Sequence, residues 1–331
     1  MNHSTNRPLH EFQRHELIVP PESAGMRLDQ ALARLLPDYS RTRIKDWIDA
    51  GRVLVDKRRP KPRDVVNGGE RVVVEVELVP EERVAAQELS LDVVHEDGSL
   101  LVINKPAGLV VHPGAGNRDR TLQNALLHLD PSLATVPRAG LVHRLDKDTS
   151  GLLVVARTVT AHTELVRKLQ AREIERHYEA ICVGVMTAGG TVDRPIGRHR
   201  TDRVRMAVRE DGREAVTHYR VIERFRAHTH VRAQLETGRT HQIRVHLAHI
   251  KHGLVGDSTY GGRLLPPRGA SADLVDSLRS FKRQALHAAR LKLEHPQTGK
   301  PMEWQVPVPL DMQLLLEALR RDAKQARTAK R

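Results

Sequence analysis

The 331-residue chain holds one cysteine, Cys182, so it can form no internal disulfide and offers no cysteine cluster to a metal. Its place in an apolar run makes it a buried strand residue. Aromatic side chains are almost as scarce, at 3% of residues. That excludes reading a single strand by stacking its bases along an aromatic platform. Long hydrophobic runs are missing too: none approaches the roughly 18 residues of a membrane span, and the first residues form no signal-peptide core. A cytoplasmic protein without membrane contact is expected. Acidic residues are in deficit, 41 against 54 Lys and Arg, which leaves a net charge of +13 and a pI near 10.3.

What is present is globular in character, with 39% hydrophobic and 29% charged residues and enough length for two domains. The positive excess makes nucleic acid the first partner to consider, because phosphate attracts Lys and Arg without regard to sequence.

Leu28, Ala31, Leu32, Leu35 and Leu36 fall at helical spacing. Ser40 then caps a second helix carrying Ile44, Trp47 and Ile48, which stops at Gly51. Val53 to Val55 and the alternating run Arg71 to Glu77 read as strands around a basic turn. Arg27, Arg34, Arg41, Arg43 and Lys45 point away from the apolar stripe. With the Arg27-Leu28-Asp29-Gln30 start, this order resembles the S4 RNA-binding module, which implies that Arg27, Arg41, Arg43, Lys45 and Arg52 meet RNA. Composition inverts between Glu75 and Glu96, an acidic segment that RNA would repel. The expected organisation is a flexible start (1–16), the S4-like domain (17–78), an acidic linker (79–88), a larger domain (89–319) and a basic tail (320–331). In the larger domain, strand-like segments such as Leu100–Asn104, Leu152–Ala156, Tyr178–Val185, Val216–Phe225 and Ala285–Glu294 alternate irregularly with helices at Leu122–Leu129, Ala161–Gln170, Gln242–Ile250 and Met312–Leu319. A regular βαβ period is missing, so the fold class is α+β around a mixed sheet.

The most informative stretch is His143-Arg144-Leu145-Asp146-Lys147-Asp148-Thr149-Ser150-Gly151, followed at once by the apolar Leu152 to Ala156. A carboxylate placed between an arginine and Thr-Ser-Gly at the mouth of a buried strand suits chemistry better than packing. Burial alone can raise a carboxyl pKa by about 3–5, whereas a contacting arginine lowers it by about 1–3, so a buried nucleophile needs a fixed cation. Gly238-Arg239-Thr240-His241-Gln242-Ile243-Arg244-Val245-His246 offers two, Arg244 and Arg239. His241, His246, His249 and His252 lack a paired cysteine, and no metal site is expected from them.

These blocks, together with Arg176-His177-Tyr178-Glu179-Ala180, Asn104-Lys105-Pro106-Ala107-Gly108 and Leu254-Val255-Gly256-Asp257-Ser258-Thr259-Tyr260-Gly261, resemble in order and content the pseudouridine synthases that modify bacterial ribosomal RNA. The resemblance implies a pseudouridine synthase fold with a largely antiparallel central sheet flanked by helices, and isomerisation of uridines in 23S ribosomal RNA. It implies Asp146 as nucleophile, Arg244 as its partner and Tyr178 stacked on the uracil. Arg144 enters the gap left by the flipped nucleotide, with His143, Arg239, His241, Leu254 and Val255 around the substrate. No cofactor is required, because the reaction neither oxidises nor consumes anything. The partner is a stem-loop at the ribosomal subunit interface or the assembling large subunit, and a monomer is expected. Gly253 departs from the proline usual in the family.

Overall fold

The structure, a computed structural model, describes residues 11–36, 39, 41–78, 84–114, 116–202, 204–261 and 266–328. The chain divides into two units, one before Val84 and one from Val84 onward. In the first, the leucine stripe builds α1 (Leu28–Leu35), and Ile44 and Ile48 give α2 (Arg41–Asp49) its inner face. Both bury against an antiparallel sheet of β1 (Glu11–Ile18), β2 (Val53–Val55) and β3 (Arg71–Leu78), ordered β1-β3-β2, whose Val53, Val72 and Val74 are fully covered. The expected cap Ser40 and residues 79–83 of the acidic linker lie outside the described residues.

The flexible start expected for 1–16 is corrected from Glu11 onward, where β1 pairs with β3 from Glu11 opposite Leu78 to Ile18 opposite Arg71. This edge strand carries charge where a central strand carries apolar residues. Glu16 accepts from Arg71 at 2.6 Å, and Arg14 lies 3.7 Å from Glu75, so cross-strand ion pairs stand in for the hydrophobic alternation that marks a strand.

The second unit contains β4 (Asp92–Glu96), β5 (Leu100–Lys105), α3 (Leu122–Leu129), β6 (Ser150–Ala156), α4 (Val159–Gln170), β7 (Glu175–Val183), β8 (Gly190–Asp193), β9 (Ile196–Arg198) and β10 (Met206–Val208). It continues through β11 (Val216–Arg224), β12 (His228–Leu235), α5 (Gln242–His249), α6 (Ala272–Ser280), β13 (Leu286–Glu294), β14 (Pro301–Gln305) and α7 (Leu310–Thr328). The main sheet runs β4-β5-β6-β13-β7-β12-β11-β8, with β14 on β13, and only the β6/β13 pair is parallel. The fold is therefore α+β with a mixed, largely antiparallel sheet. All of β6 is buried because it serves two cores: Leu153 and Val155 pack with α3, and Leu152 and Val154 pack with Ala161 and Leu165 of α4.

The basic tail expected from residue 320 is instead the last part of α7, up to Thr328. Arg320 pairs with Glu223 at 2.7 Å, Arg321 with Asp273 at 2.9 Å, and the buried Asp322 with Arg226 at 3.0 Å. The helix end is docked by charge rather than by apolar residues, which is why it read as a tail. The pair β9 and β10 and helix α6 have no counterpart among the expected elements.

Candidate active site

Three segments distant in sequence meet at one cleft of about 690 Å³. The first is the loop before β6. Its geometry is set by Gly151, at φ +111°, where a Cβ would stand 2.3 Å from the Ala288 carbonyl oxygen on β13. Only glycine lets the two strands approach that closely while the loop turns Asp146 into the cleft. The loop is also held from below. The fully buried Lys105 ammonium donates to the carbonyls of Pro106, Leu109 and Lys147 at 2.8, 2.9 and 3.0 Å, which ties the end of β5 to the residue after Asp146. Burial pulls the Lys105 pKa down to about 7, with Asp148 and Asp146 pulling the other way.

The second segment is α5. Its preceding residue His241 adopts a left-handed conformation at φ +57°, and Gln242 locks the turn. Gln242 accepts from the Arg239 amide and the Thr237 hydroxyl, and donates to the Val216 carbonyl and Thr217. This fixes the helix so that Arg244, 8% exposed, projects into the cleft. Its Nη1 donates to Asp146 Oδ2 at 3.0 Å, while Nε and Nη2 donate to Asp257 at 2.7 and 2.9 Å. Burial opposes the guanidinium charge, but Asp257 and then Asp146 outweigh it and raise the Arg244 pKa. The Asp257 carboxylate, with no exposed surface, also accepts from the Thr259 and Tyr260 amides. Burial works against its charge too, yet Arg244 and these amides hold its pKa below the usual carboxylate range. The Tyr260 ring lies 5.0 Å from the guanidinium, and its hydroxyl contacts His241 at 2.8 Å.

The third segment is β7, at the centre of the sheet between β13 and β12, which carries Tyr178. Burial raises the Tyr178 pKa, Arg176 opposes the rise and Asp146 adds to it. The phenol thus keeps its proton at neutral pH and offers a ring face and a hydroxyl.

Asp146, Tyr178, Arg244, Arg144, His143, Arg239 and His241 all line this cleft. Their situations differ. Arg144 is exposed, His241 Nε2 stands 3.9 Å from Asp146, and Arg239, the alternative candidate for the cation on Asp146, donates to the Glu214 carbonyl while Arg244 holds the carboxylate. His143 accepts the Val154 amide at 3.1 Å. Leu254 and Val255 are corrected: both are fully buried and neither lines the cleft, Leu254 packing in the core with Leu145 and Tyr178 and Val255 against Leu274, Phe281 and Met312, while the apolar wall of the cleft includes Leu145, Leu235, Ile243 and Leu286. The turn at Leu254 bridges backbone to Cys182 of β7, which draws these side chains into the core. Cys182 is itself buried in β7. His246 is hydrogen-bonded to Thr217 and the Arg194 carbonyl, and His252 to the Val183 carbonyl.

In the first unit, Arg27 and Arg41 both chelate the buried Asp29, at 3.0 and 2.8 Å. Each side chain therefore helps to close the S4-like core, although both remain partly exposed. Arg43 lies over the Trp47 ring at 5.4 Å, Lys45 is 3.8 Å from Asp49, and Arg52 is exposed.

Three histidines make the fold acid-sensitive, His228 and His287 buried and His143 half-buried in the cleft wall. Burial pushes the pKa of His143 to about 3 and those of His228 and His287 to about 4. Between pH 6.5 and 4 the unfolded chain takes up protons that the folded chain refuses, so stability present above pH 6.5 is lost as pH falls. The loss amounts to about 1.4 kcal/mol per pH unit for each such proton. A urea series from pH 7 to 4.5 should show the midpoint falling steadily, with more than one proton taken up on unfolding. A flat midpoint over that range would contradict the assignment of these rings as neutral.

An arginine-anchored aspartate in an arginine-lined cleft, on a largely antiparallel mixed sheet, is the arrangement that the resemblance to the pseudouridine synthases leads one to expect. Residues 99–249 match the RNA pseudouridylate synthase family and residues 26–72 the S4 domain. The chain is 59% identical over 305 residues to the ribosomal large subunit pseudouridine synthase D of Salmonella typhimurium, covering 92% of this chain and 94% of that one. It is 55% identical over 326 residues to the protein of the same name from Xanthomonas campestris pv. campestris, covering 98% of each. The solved structure of human RNA pseudouridylate synthase domain containing 4 superposes with a TM-score of 0.55 at 30% identity, covering 69% of this chain and 93% of that one. The chain belongs to the RNA pseudouridylate synthase family, whose members isomerise uridine in RNA to pseudouridine.

The site reading from sequence missed Asp257, Tyr260 and the Lys105 tether. Asp257 sits in Gly256-Asp257-Ser258-Thr259, an Asx-turn signal, but nothing in that signal names Arg244 as its partner.

Proposed function

We propose that this protein converts uridines of large-subunit ribosomal RNA to pseudouridine, with Asp146 as nucleophile, Arg244 holding it charged and oriented, and Tyr178 lying against the flipped base. The observation that carries the reading is the 3.0 Å pairing of Asp146 with an arginine almost wholly removed from solvent, 98 residues away in sequence. A guanidinium so placed keeps the carboxylate ionised where water is scarce. Asp146 attacks the substrate at ribose C1′ or at uracil C6, the base is freed and turned, and its C5 replaces N1 on the sugar. Stacking on an aromatic ring contributes about 1–3 kcal/mol, which matches the few kcal/mol needed to flip a nucleotide from its stack. Arg144, exposed on the loop beside Asp146, fills the space the nucleotide leaves. The S4-like unit supplies further phosphate contacts through Arg43, Lys45 and Arg52, and the protein works as a monomer in the cytoplasm. No helix of the described residues is long and apolar enough to cross a membrane.

Carbodiimide mapping of ribosomal RNA from cells lacking the protein tests the whole reading. Pseudouridines should vanish from one stem-loop of the large-subunit RNA at the subunit interface and return on complementation. An unchanged pattern throughout that RNA would rule out this substrate.

A further inference from the structure

The arginines lining the cleft have different fates. Arg244 is clamped by two aspartates, Arg172 pairs with Glu214 and Glu236 at 2.6 and 2.9 Å, and Arg239 donates to a backbone carbonyl. Arg176 differs from all of them. It is 7% exposed, its Nε is buried without a hydrogen-bond partner, and among the described residues its guanidinium makes no hydrogen bond and no ion pair. An arginine cannot shed its proton to escape burial, so this is a charge more than nine-tenths removed from water and, among the described residues, uncompensated. Folds rarely tolerate such a group without a use for it.

Its placement indicates the use. Arg176 stands two residues before Tyr178 on β7, so both side chains leave the sheet on the same face and both line the cleft. Across from it, Gly238 leaves room for the guanidinium: a Cβ there would come within 2.8 Å of Arg176 Nη1. The charge is therefore seated between the ring that meets the base and the loop that leads into α5. A guanidinium is a rigid fork of donors that fits a pair of anionic oxygens, and it is strongest where water is excluded.

We propose that Arg176 binds an oxyanion of the RNA substrate inside the cleft and is left unpaired in the free protein for that purpose. The proposal rests on the isomerase reading above. Two oxyanions share the required chemistry. One is the phosphate beside the flipped uridine. The other is the uracil itself: when its bond to C1′ breaks, the electron pair stays on the base and spreads to the carbonyl oxygens, until C5 bonds to C1′ and gives up its proton.

The test compares wild type, Arg176→Met and Arg176→Lys in single-turnover conversion of a uridine-containing stem-loop, RNA affinity across a salt series, and thermal melting. Arg176→Met should lose about 100-fold in conversion, the scale of removing one preorganised donor, or weaken RNA binding with a salt slope shallower by about one. Its melting midpoint should hold or rise, because an unpaired buried charge has gone, and Arg176→Lys should recover part of the loss. Weaker binding with a shallower slope identifies the phosphate; slower conversion at unchanged affinity identifies the uracil oxygen. Conversion and affinity both within twofold of wild type would overturn the proposal. So would a loss that tracks a lowered melting midpoint and is not relieved by lysine. A wild-type chain that converts no uridine in any stem-loop would remove the isomerase reading and this proposal with it, a result distinct from an active wild type matched by an active Arg176→Met.

Discussion

Asp146→Asn is expected to reduce pseudouridine formation by at least about 10⁴-fold, the scale lost when an enzyme's nucleophile is removed. RNA affinity should stay within about twofold of wild type. The amide is the same size as the carboxylate and can still accept the Arg244 hydrogen bond, so the cleft keeps its shape. What it loses is the negative oxygen. Arg244 retains both bonds to Asp257, so no buried charge is orphaned and the variant should melt close to wild type. An RNA-binding assembly factor with no chemistry of its own would be indifferent to the change in every assay. An N-glycosidase would instead show free uracil from the wild-type protein, whereas an isomerase leaves the mass of the RNA unaltered. Residual conversion above about one part in a hundred would move the nucleophile elsewhere, with Asp148 the nearest carboxylate in sequence.

Asp257→Ala should have the largest effect on stability, together with a large effect on rate. Its carboxylate has no exposed surface and accepts four hydrogen bonds, two of them from a guanidinium that is itself 8% exposed. Asp146 still faces the guanidinium in this variant, but two of the three bonds of a buried Arg244 are gone and the Thr259 and Tyr260 amides lose their acceptor, a loss of about 3–5 kcal/mol. For a unit of this size that lowers the melting midpoint by roughly 10 °C. Activity should fall by about 100-fold at temperatures where the variant is fully folded, since a displacement of about 1 Å in a positioning group is enough for that. Asp257→Asn separates the two effects. It keeps acceptors for the Thr259 and Tyr260 amides but turns an NH₂ or a neutral oxygen toward Arg244, so it should recover part of the stability and less of the rate. Wild-type kinetics in both variants would show that Arg244 needs no second carboxylate.

Physical chemistry demands a cation beside a buried ionised carboxylate, which left Arg244 and Arg239 open; the resemblance of their segment to the family motif is what singled out Arg244, and the 3.0 Å contact with Asp146 agrees with it. Asp257 could not be anticipated in the same way. Its own segment marks it as a turn former, and only the folded chain reveals that the turn also grips α5. Arg176 and Lys105 were quoted within their motifs without a role, because burial of a cation reads from sequence as an exposed one would. Secondary structure was legible where elements are apolar, as in β6 and β7, and illegible where ion pairs replace apolar periodicity, as in the strand β1 and the end of the helix α7. Leu254 and Val255 were misplaced because a lining residue and a core residue share one composition. The distinction lies in which way a strand-like segment faces after its bridge to Cys182.

The arrangement around Arg244 has one more consequence. In water the two oxygens of a carboxylate are interchangeable; those of Asp146 are not. Oδ2 is pinned by the single nitrogen that Asp257 leaves to it, while the closest ring nitrogen to Oδ1, on His241, stands 3.9 Å off, beyond hydrogen-bond reach. One atom serves as a pivot, and its twin accepts no hydrogen bond among the described residues. The side chain thus arrives already handed, and an incoming nucleotide is met along one trajectory rather than two.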